Sequence, residues 1–184
     1  MVEWSALLLP IALSVVLVFL SSSVIHMVLQ THNPDYKKLP DESATRAALS
    51  GIAPGQYIVP HCLDPKGLDD PEMAARFEDG PVGVLWIKPN GQMKLGPFLG
   101  KWVAFTFVIS GLVAYLARAT LAPDAAYLEV FQVVGASAWL AYSWSGPADS
   151  IWKGKPWSCT FRDLFDGLVY AALTAGAFAW LWPN

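Results

Sequence analysis

Four ionisable residues beside long apolar segments are the residues of this chain best suited to chemistry. His26 and His32 lie at the end of the first apolar segment, and Asp163 and Asp166 begin the last one. A histidine at a membrane can bind a metal ion, ligate haem or relay protons, and paired carboxylates can begin a proton path. Interfacial hydrogen bonding and helix capping are the commoner roles of such side chains, so these four are weak functional candidates.

No recognised metal, haem or catalytic motif accompanies these residues. His26, His32, Asp35, His61 and Cys62 are of types that bind zinc, but their spacing matches no compact zinc motif. A haem held between two helices needs a second axial ligand, and the later apolar segments contain no histidine. Signatures of serine hydrolases, zinc proteases and nucleotide-binding loops are also missing from the sequence. We therefore expect no cofactor, no metal and no catalytic residue.

Four apolar segments must position the candidate residues. The chain of 184 residues is 54% hydrophobic and only 15% charged, whereas soluble domains carry about 25% charged residues. The segments cover roughly residues 4–28, 102–121, 127–144 and 164–182, and about 20 apolar residues suffice to cross a bilayer. The sequence thus predicts an all-α integral membrane protein with four transmembrane helices and a small α+β cytoplasmic loop element.

The predicted division places transmembrane helix 1 at residues 1–29, the loop element at 30–100 and transmembrane helices 2–4 at 101–184. In the loop element, residues 40–42 (PDE) are predicted to start a helix through Leu49, and residues 70–72 (DPE) a second short helix through Phe77. Residues 56–59 and 82–87 are predicted strands, and residues 92–95 could pair back on the second of them.

The last apolar segment carries small residues at every fourth position: Gly167, Ala171, Ala175 and Ala179. On a helix this spacing makes one flat ridge, which lets another backbone approach closely in lipid. We expect the ridge to pack against a helix of this chain, of a second copy or of another membrane subunit.

Basic residues predict the orientation in the membrane. Eleven of the twelve lysines and arginines lie in the two predicted long loops, and Arg118 is the exception, which we expect to pair with Glu129. The positive-inside rule places both loops in the cytoplasm and both termini on the opposite side of the membrane. The net charge of −3 gives no reason to expect a nucleic-acid partner.

Seven short runs spread over the chain resemble an uncharacterised family of small four-helix bacterial inner-membrane proteins. They are residues 21–27 (SSSVIHM), 35–36 (DY), 39–42 (LPDE), 54–57 (PGQY), 80–83 (GPVG), 166–168 (DGL) and 180–183 (WLWP). The resemblance implies a location in the membrane and a bacterial source. It implies no activity and no role for any residue.

Three functions are compatible with these features. The ridge, the compact loop and the lack of a chemical motif favour a non-catalytic accessory or scaffold subunit of a larger membrane complex, with lipid and other subunits as partners. A small transporter or proton-conducting protein is the first alternative, with His26, Asp163, Asp166 and Glu129 as its candidate residues. A membrane enzyme using His26 with loop residues is the second alternative.

Overall fold

The computed structural model describes residues 1–183 and divides into two compact units. The helical unit comprises residues 1–36, 94–148 and 156–183, and the loop unit comprises residues 37–93 and 149–155. The elements in chain order are α1 Trp4–Ser23, a π-helix Val24–Leu29, a 3-10 helix Asn33–Asp35, α2 Glu42–Ala48, β1 Gly55–Val59, a 3-10 helix Pro65–Asp69, α3 Pro71–Asp79, β2 Gly83–Ile87, α4 Leu95–Thr120, α5 Tyr127–Ser143, α6 Gly146–Lys153 and α7 Trp157–Trp180.

In the helical unit, α7 packs against α5 and α1, and α4 packs against α1 and α5. The core between these helices is apolar, and its largest fully buried side chain is that of Phe178 on α7. The other core members are mostly valine, alanine and small hydroxyl residues, so the helices approach one another closely.

The predicted fold class is wrong in its number of membrane spans. Within the described residues 1–183, only Trp4–Leu29 and Leu95–Thr120 form helices long and apolar enough to cross a membrane. Helix α5 has 17 residues, short of the roughly 20 that a bilayer requires. Helix α7 is long enough, but its first turns carry charged residues and its second half is built mainly from alanine, glycine and threonine. Such small residues suit a packed core, and they make α7 less apolar than a lipid-facing helix.

Arg118, at the end of α4, holds the start of the chain instead of an acidic partner. Its Nε donates a hydrogen bond to the Val2 carbonyl at 2.7 Å, and its guanidinium lies 5.3 Å from the centre of the Trp4 ring. Glu129 caps its own helix by accepting a hydrogen bond from the Ala126 amide at 3.0 Å. The expected pair of Arg118 with Glu129 is therefore wrong, and the cation ties α1 to α4.

The loop unit contains the short helices and the two strands expected in this region. Asp41 and Asp70 cap α2 and α3 by accepting backbone hydrogen bonds. Strands β1 and β2 pair antiparallel, with Gly55 opposite Ile87. The expected third pairing, from residues 92–95, does not form, because α4 already begins at Leu95.

Candidate functional site

The chain reverses direction directly after α1, and this reversal brings His32 back onto His26. The π-helix Val24–Leu29 ends at Gln30, whose left-handed backbone (φ 52°) turns the chain. The two imidazole rings then lie with their centres 4.7 Å apart. π-helical turns are rare and occur often at functional sites, so the backbone here is itself notable.

His32 lies between two carboxylates, one from its own turn and one from α7. Its Nδ1 is 2.8 Å from Asp35 Oδ2, and its Nε2 is 2.8 Å from Asp166 Oδ2. A carboxylate accepts hydrogen bonds, so each ring nitrogen donates only when it carries a proton. Burial of the ring disfavours its positive charge, but hydrogen bonds and electrostatic attraction to Asp166 and Asp35 outweigh this effect and raise the pKa of His32 above its usual value. The two carboxylates thus stabilise the protonated imidazole of His32 relative to a free one.

Asp35 is held by a cation on its other side. Its Oδ1 accepts a hydrogen bond from Arg162 Nη1, and the Cys159 thiol is also within its reach. Burial opposes ionisation, but hydrogen bonds from His32 and Cys159 and the charge of Arg162 lower the pKa of Asp35. The series Arg162, Asp35, His32 and Asp166 therefore alternates in charge and links the start of α7 to the end of α1.

His26 stands at the open side of this series. Its Nε2 lies 3.5 Å from Asp166 Oδ2 and 3.5 Å from the Tyr170 hydroxyl. Its side chain is 48% exposed, whereas those of His32 and Asp166 are 16% and 9% exposed. Solvent can therefore reach the cluster from the His26 side, while the other two groups are enclosed.

Aromatic side chains from three helices enclose the inner side of the cluster. Tyr170 makes edge-to-face contacts with Trp102 of α4 and Tyr142 of α5, with ring centres 5.9 and 5.6 Å apart. The Trp102 Nε1–H donates to Ser22 Oγ at 3.0 Å. These contacts fix the helix ends and limit the freedom of the polar groups above them.

His26, His32 and Asp166 lie close enough together to hold one metal ion: they offer one ligand atom each, and these atoms all lie within 4.8 Å of one another. The fourth predicted candidate, Asp163, lies near the start of α7, is half-buried, and is not part of this group of three. Chemically, two imidazoles and a carboxylate can share protons, pair charges or bind a divalent cation.

Asp35 and Arg162 complete the cluster. From the sequence, Asp35 is only one of five residues of zinc-ligand type, and Arg162 is not a candidate. Asp35 follows His32 by three residues, a spacing that allows contact within one turn, and this spacing was the available signal. Nothing local in the sequence pairs Arg162 with Asp35, because the two residues are 127 positions apart. His61 and Cys62, the other residues of ligand type, belong to the loop unit.

The ridge of small residues is buried inside the helical unit. Ala171, Ala175 and Ala179 are 2%, 0% and 7% exposed. A Cβ placed on Gly167 would lie 1.5 Å from Ser143 Oγ and 2.8 Å from Ser143 Cβ, on α5. The ridge therefore packs against other helices of the same chain. At Gly167 that space is filled by Ser143, so a helix of a second copy could not pack there.

Comparisons with protein-family models, with curated proteins and with solved structures give no match. The resemblance to small inner-membrane proteins stays a prediction, and the site rests on its own geometry.

Proposed function

We propose that this chain is a non-catalytic integral membrane protein of a bacterial inner membrane, acting as an accessory or scaffold subunit of a larger complex. Helices α1 and α4 cross the bilayer, and the segment between them lies in the cytoplasm and binds a partner protein. The observation that carries this proposal is the exposure of large apolar side chains on both units.

On the helical unit, exposed apolar side chains occur along the two helices that are long enough to span, and also on α5 and α7, for example at Leu140 and Phe165. Leucine, valine and phenylalanine side chains between 52% and 63% exposed occur along α1 and α4: Leu9, Val16, Leu20, Phe107, Val108 and Leu112. Full burial of such a side chain is worth about 1.5–3 kcal/mol, so a side chain that is about half exposed would gain roughly half of that on leaving water. Water-soluble monomers rarely expose apolar surfaces of this extent, whereas a lipid bilayer covers such a surface on all sides.

On the loop unit, the two-stranded sheet leaves apolar side chains in contact with water. Tyr57, Ile58 and Val59 on β1 are 37–40% exposed, and Trp86 on β2 is 55% exposed. Two strands alone are marginally stable in water and usually gain stability by packing against another element. A partner protein that contacts Trp86 and the β1 side chains would supply that packing.

The partner is tested by purification in mild detergent followed by mass spectrometry. We expect the wild-type chain to retain one stoichiometric membrane-complex partner, and Trp86→Ser to lose it because the central apolar contact is removed. Leu68→Ser is the matched control, since Leu68 is 53% exposed on the loop unit outside the sheet. Equal recovery of the partner by both variants, or no stoichiometric partner for the wild type, would contradict the subunit role.

The orientation follows from charge. Eight of the twelve basic residues lie between the end of the π-helix and the first turns of α4, so the positive-inside rule assigns this segment to the cytoplasm. An impermeant maleimide should therefore label Cys62 only after the inner membrane is permeabilised. The Cys62→Ser variant reports the background, because Cys159 is buried. Labelling of Cys62 from the periplasmic side would reverse the orientation.

A proton-conducting role is the second candidate, favoured by hydroxyl groups inside the helical core. Ser14 Oγ of α1 and Ser110 Oγ of α4 are 2.9 Å apart and fully buried. The buried Tyr142 hydroxyl makes no hydrogen bond, although Ser110 and Thr174 lie within its reach. Proteoliposomes with an internal pH dye test this role: conduction that Tyr142→Phe abolishes would favour it, and tight liposomes would exclude it.

A further inference from the structure

We infer that His26, His32 and Asp166 form a binding site for a divalent first-row transition-metal ion at the end of α1. This site goes beyond the accessory role, which requires no metal. Four observations carry it: the distances among the ligand atoms, the residues behind them, the access from solvent and the backbone that brings them together.

The distances fit one cation. Metal–nitrogen and metal–oxygen bonds of about 2.0–2.1 Å in a tetrahedral site separate the ligand atoms by about 3.4 Å. Asp166 Oδ2 lies 2.8 Å from His32 Nε2 and 3.5 Å from His26 Nε2, and no pair of the three ligand atoms exceeds 4.8 Å. Small side-chain rotations therefore bring all three atoms into one coordination sphere. The ion takes the place of the proton that His32 shares with Asp166, and that proton leaves to solvent.

The residues behind His32 match those that support metal-bound histidines. A ligating imidazole usually donates its second N–H to a carboxylate, which fixes the ring and its tautomer. Here Asp35 Oδ2 accepts from His32 Nδ1 at 2.8 Å, and Arg162 in turn holds Asp35. An ion pair between His32 and α7 requires only the carboxylate of Asp166. A metal site uses Asp166 as a ligand and also needs a second carboxylate, that of Asp35, to hold the imidazole ring.

The exposure of the ligands indicates a site with an open coordination position. His32 and Asp166 are enclosed, but His26 is half-exposed and faces solvent. Three protein ligands with one open side are typical of zinc and iron sites that also bind water or a small ligand. Two imidazoles and one carboxylate favour Zn²⁺, Fe²⁺ or Co²⁺ over Mg²⁺ and Ca²⁺, which prefer oxygen ligands.

The backbone is arranged to bring the two histidines together. The π-helix and the left-handed Gln30 form the turn that places His32 over His26. A regular continuation of α1 would separate these residues, because six positions correspond to about 9 Å along a helix. A role in bringing two metal ligands together therefore explains both the π-helix and the left-handed residue.

Metal binding to the purified full-length protein in detergent tests the site. After removal of bound metal with a chelator, Co²⁺ should bind at one ion per chain and give visible absorption bands, and Zn²⁺ should displace it. His26→Ala should abolish one-to-one binding while the chain stays folded, because His26 is half-exposed and lies at the edge of the cluster. Asp166→Asn should also abolish binding.

Two further variants separate a metal site from adventitious binding. His61→Ala removes the only other histidine of the chain and should leave Co²⁺ binding unchanged. Asp35→Asn should weaken binding about 10–100-fold without changing the stoichiometry, as loss of a supporting carboxylate does. Absence of Co²⁺ and Zn²⁺ binding at micromolar concentrations by the folded wild type, or equal binding by His26→Ala, would overturn the inference and leave an ion-pair network only.

Discussion

Replacing Gly167 with alanine is expected to destabilise the helical unit by about 2–3 kcal/mol or to prevent its folding, since overpacked cores cost about this much. The new methyl group would lie 1.5 Å from Ser143 Oγ and 2.8 Å from Ser143 Cβ. A change of the serine rotamer moves the oxygen but not the Cβ, so α5 and α7 have to separate. The free energy of unfolding in mixed detergent micelles measures the effect.

Gly176→Ala is the matched control on the same helix. No atom lies within 4 Å of a Cβ placed on Gly176, and alanine favours a helix over glycine by about 0.5–1 kcal/mol. This variant should therefore be as stable as the wild type or slightly more stable. Equal stability of Gly167→Ala and Gly176→Ala would show that α5 and α7 are not in close contact at Ser143.

His32→Ala is expected to lower the free energy of unfolding by about 2–4 kcal/mol, measured with a chelator present so that only the protein network contributes. The substitution removes a cation from between Asp35 and Asp166, whose side chains are 8% and 9% exposed. Buried charges that lose a partner are costly, and each hydrogen bond to a charged group is worth about 1.5–3 kcal/mol. Arg162 and His26 still face the two carboxylates, which keeps the loss moderate.

His61→Ala is the control for loss of a histidine, because His61 is exposed on the loop unit. Its effect should stay within about 0.5 kcal/mol, as for most surface substitutions. If His32→Ala is equally mild, His32 does not bridge the two aspartates.

Local features of this chain were predictable from the sequence. Asp41 and Asp70 stand directly before their helices, where a carboxylate caps the first turn, and both act in this way. The apolar segments of α1 and α4 were equally evident, because their hydropathy is nearly uninterrupted. These signals depend only on residues close together in the chain.

The nature of α7 could not be read from its own sequence. The spacing of Gly167, Ala171, Ala175 and Ala179 is the same on a membrane span and on a helix buried in a protein core. Whether such a helix faces lipid or lies in a protein core depends on what packs against it, and in the structure α5 and α1 pack against α7. Hydropathy alone therefore overestimated the number of spans.

The cluster at the end of α1 depends on contacts between distant parts of the chain. His32 and Asp166 are 134 positions apart, and they meet only because a π-helix and a left-handed Gln30 redirect the chain. Neither feature follows from hydrophobic periodicity or from a short motif. The separate residues were recognisable as candidates, but their geometry was not.

The central claim, that α1 and α4 cross a lipid bilayer, is tested most directly by the accessibility of nitroxide spin labels in reconstituted liposomes. Single cysteines at Val16 and Leu112, in a background without Cys62, place labels on the exposed faces of α1 and α4. A third label at Tyr36, which is 87% exposed outside both helices, is the control. If both helices cross the bilayer, Val16 and Leu112 are more accessible to oxygen than to a water-soluble nickel complex, and Tyr36 shows the reverse. Higher accessibility to the nickel complex at Val16 or Leu112 would contradict this claim.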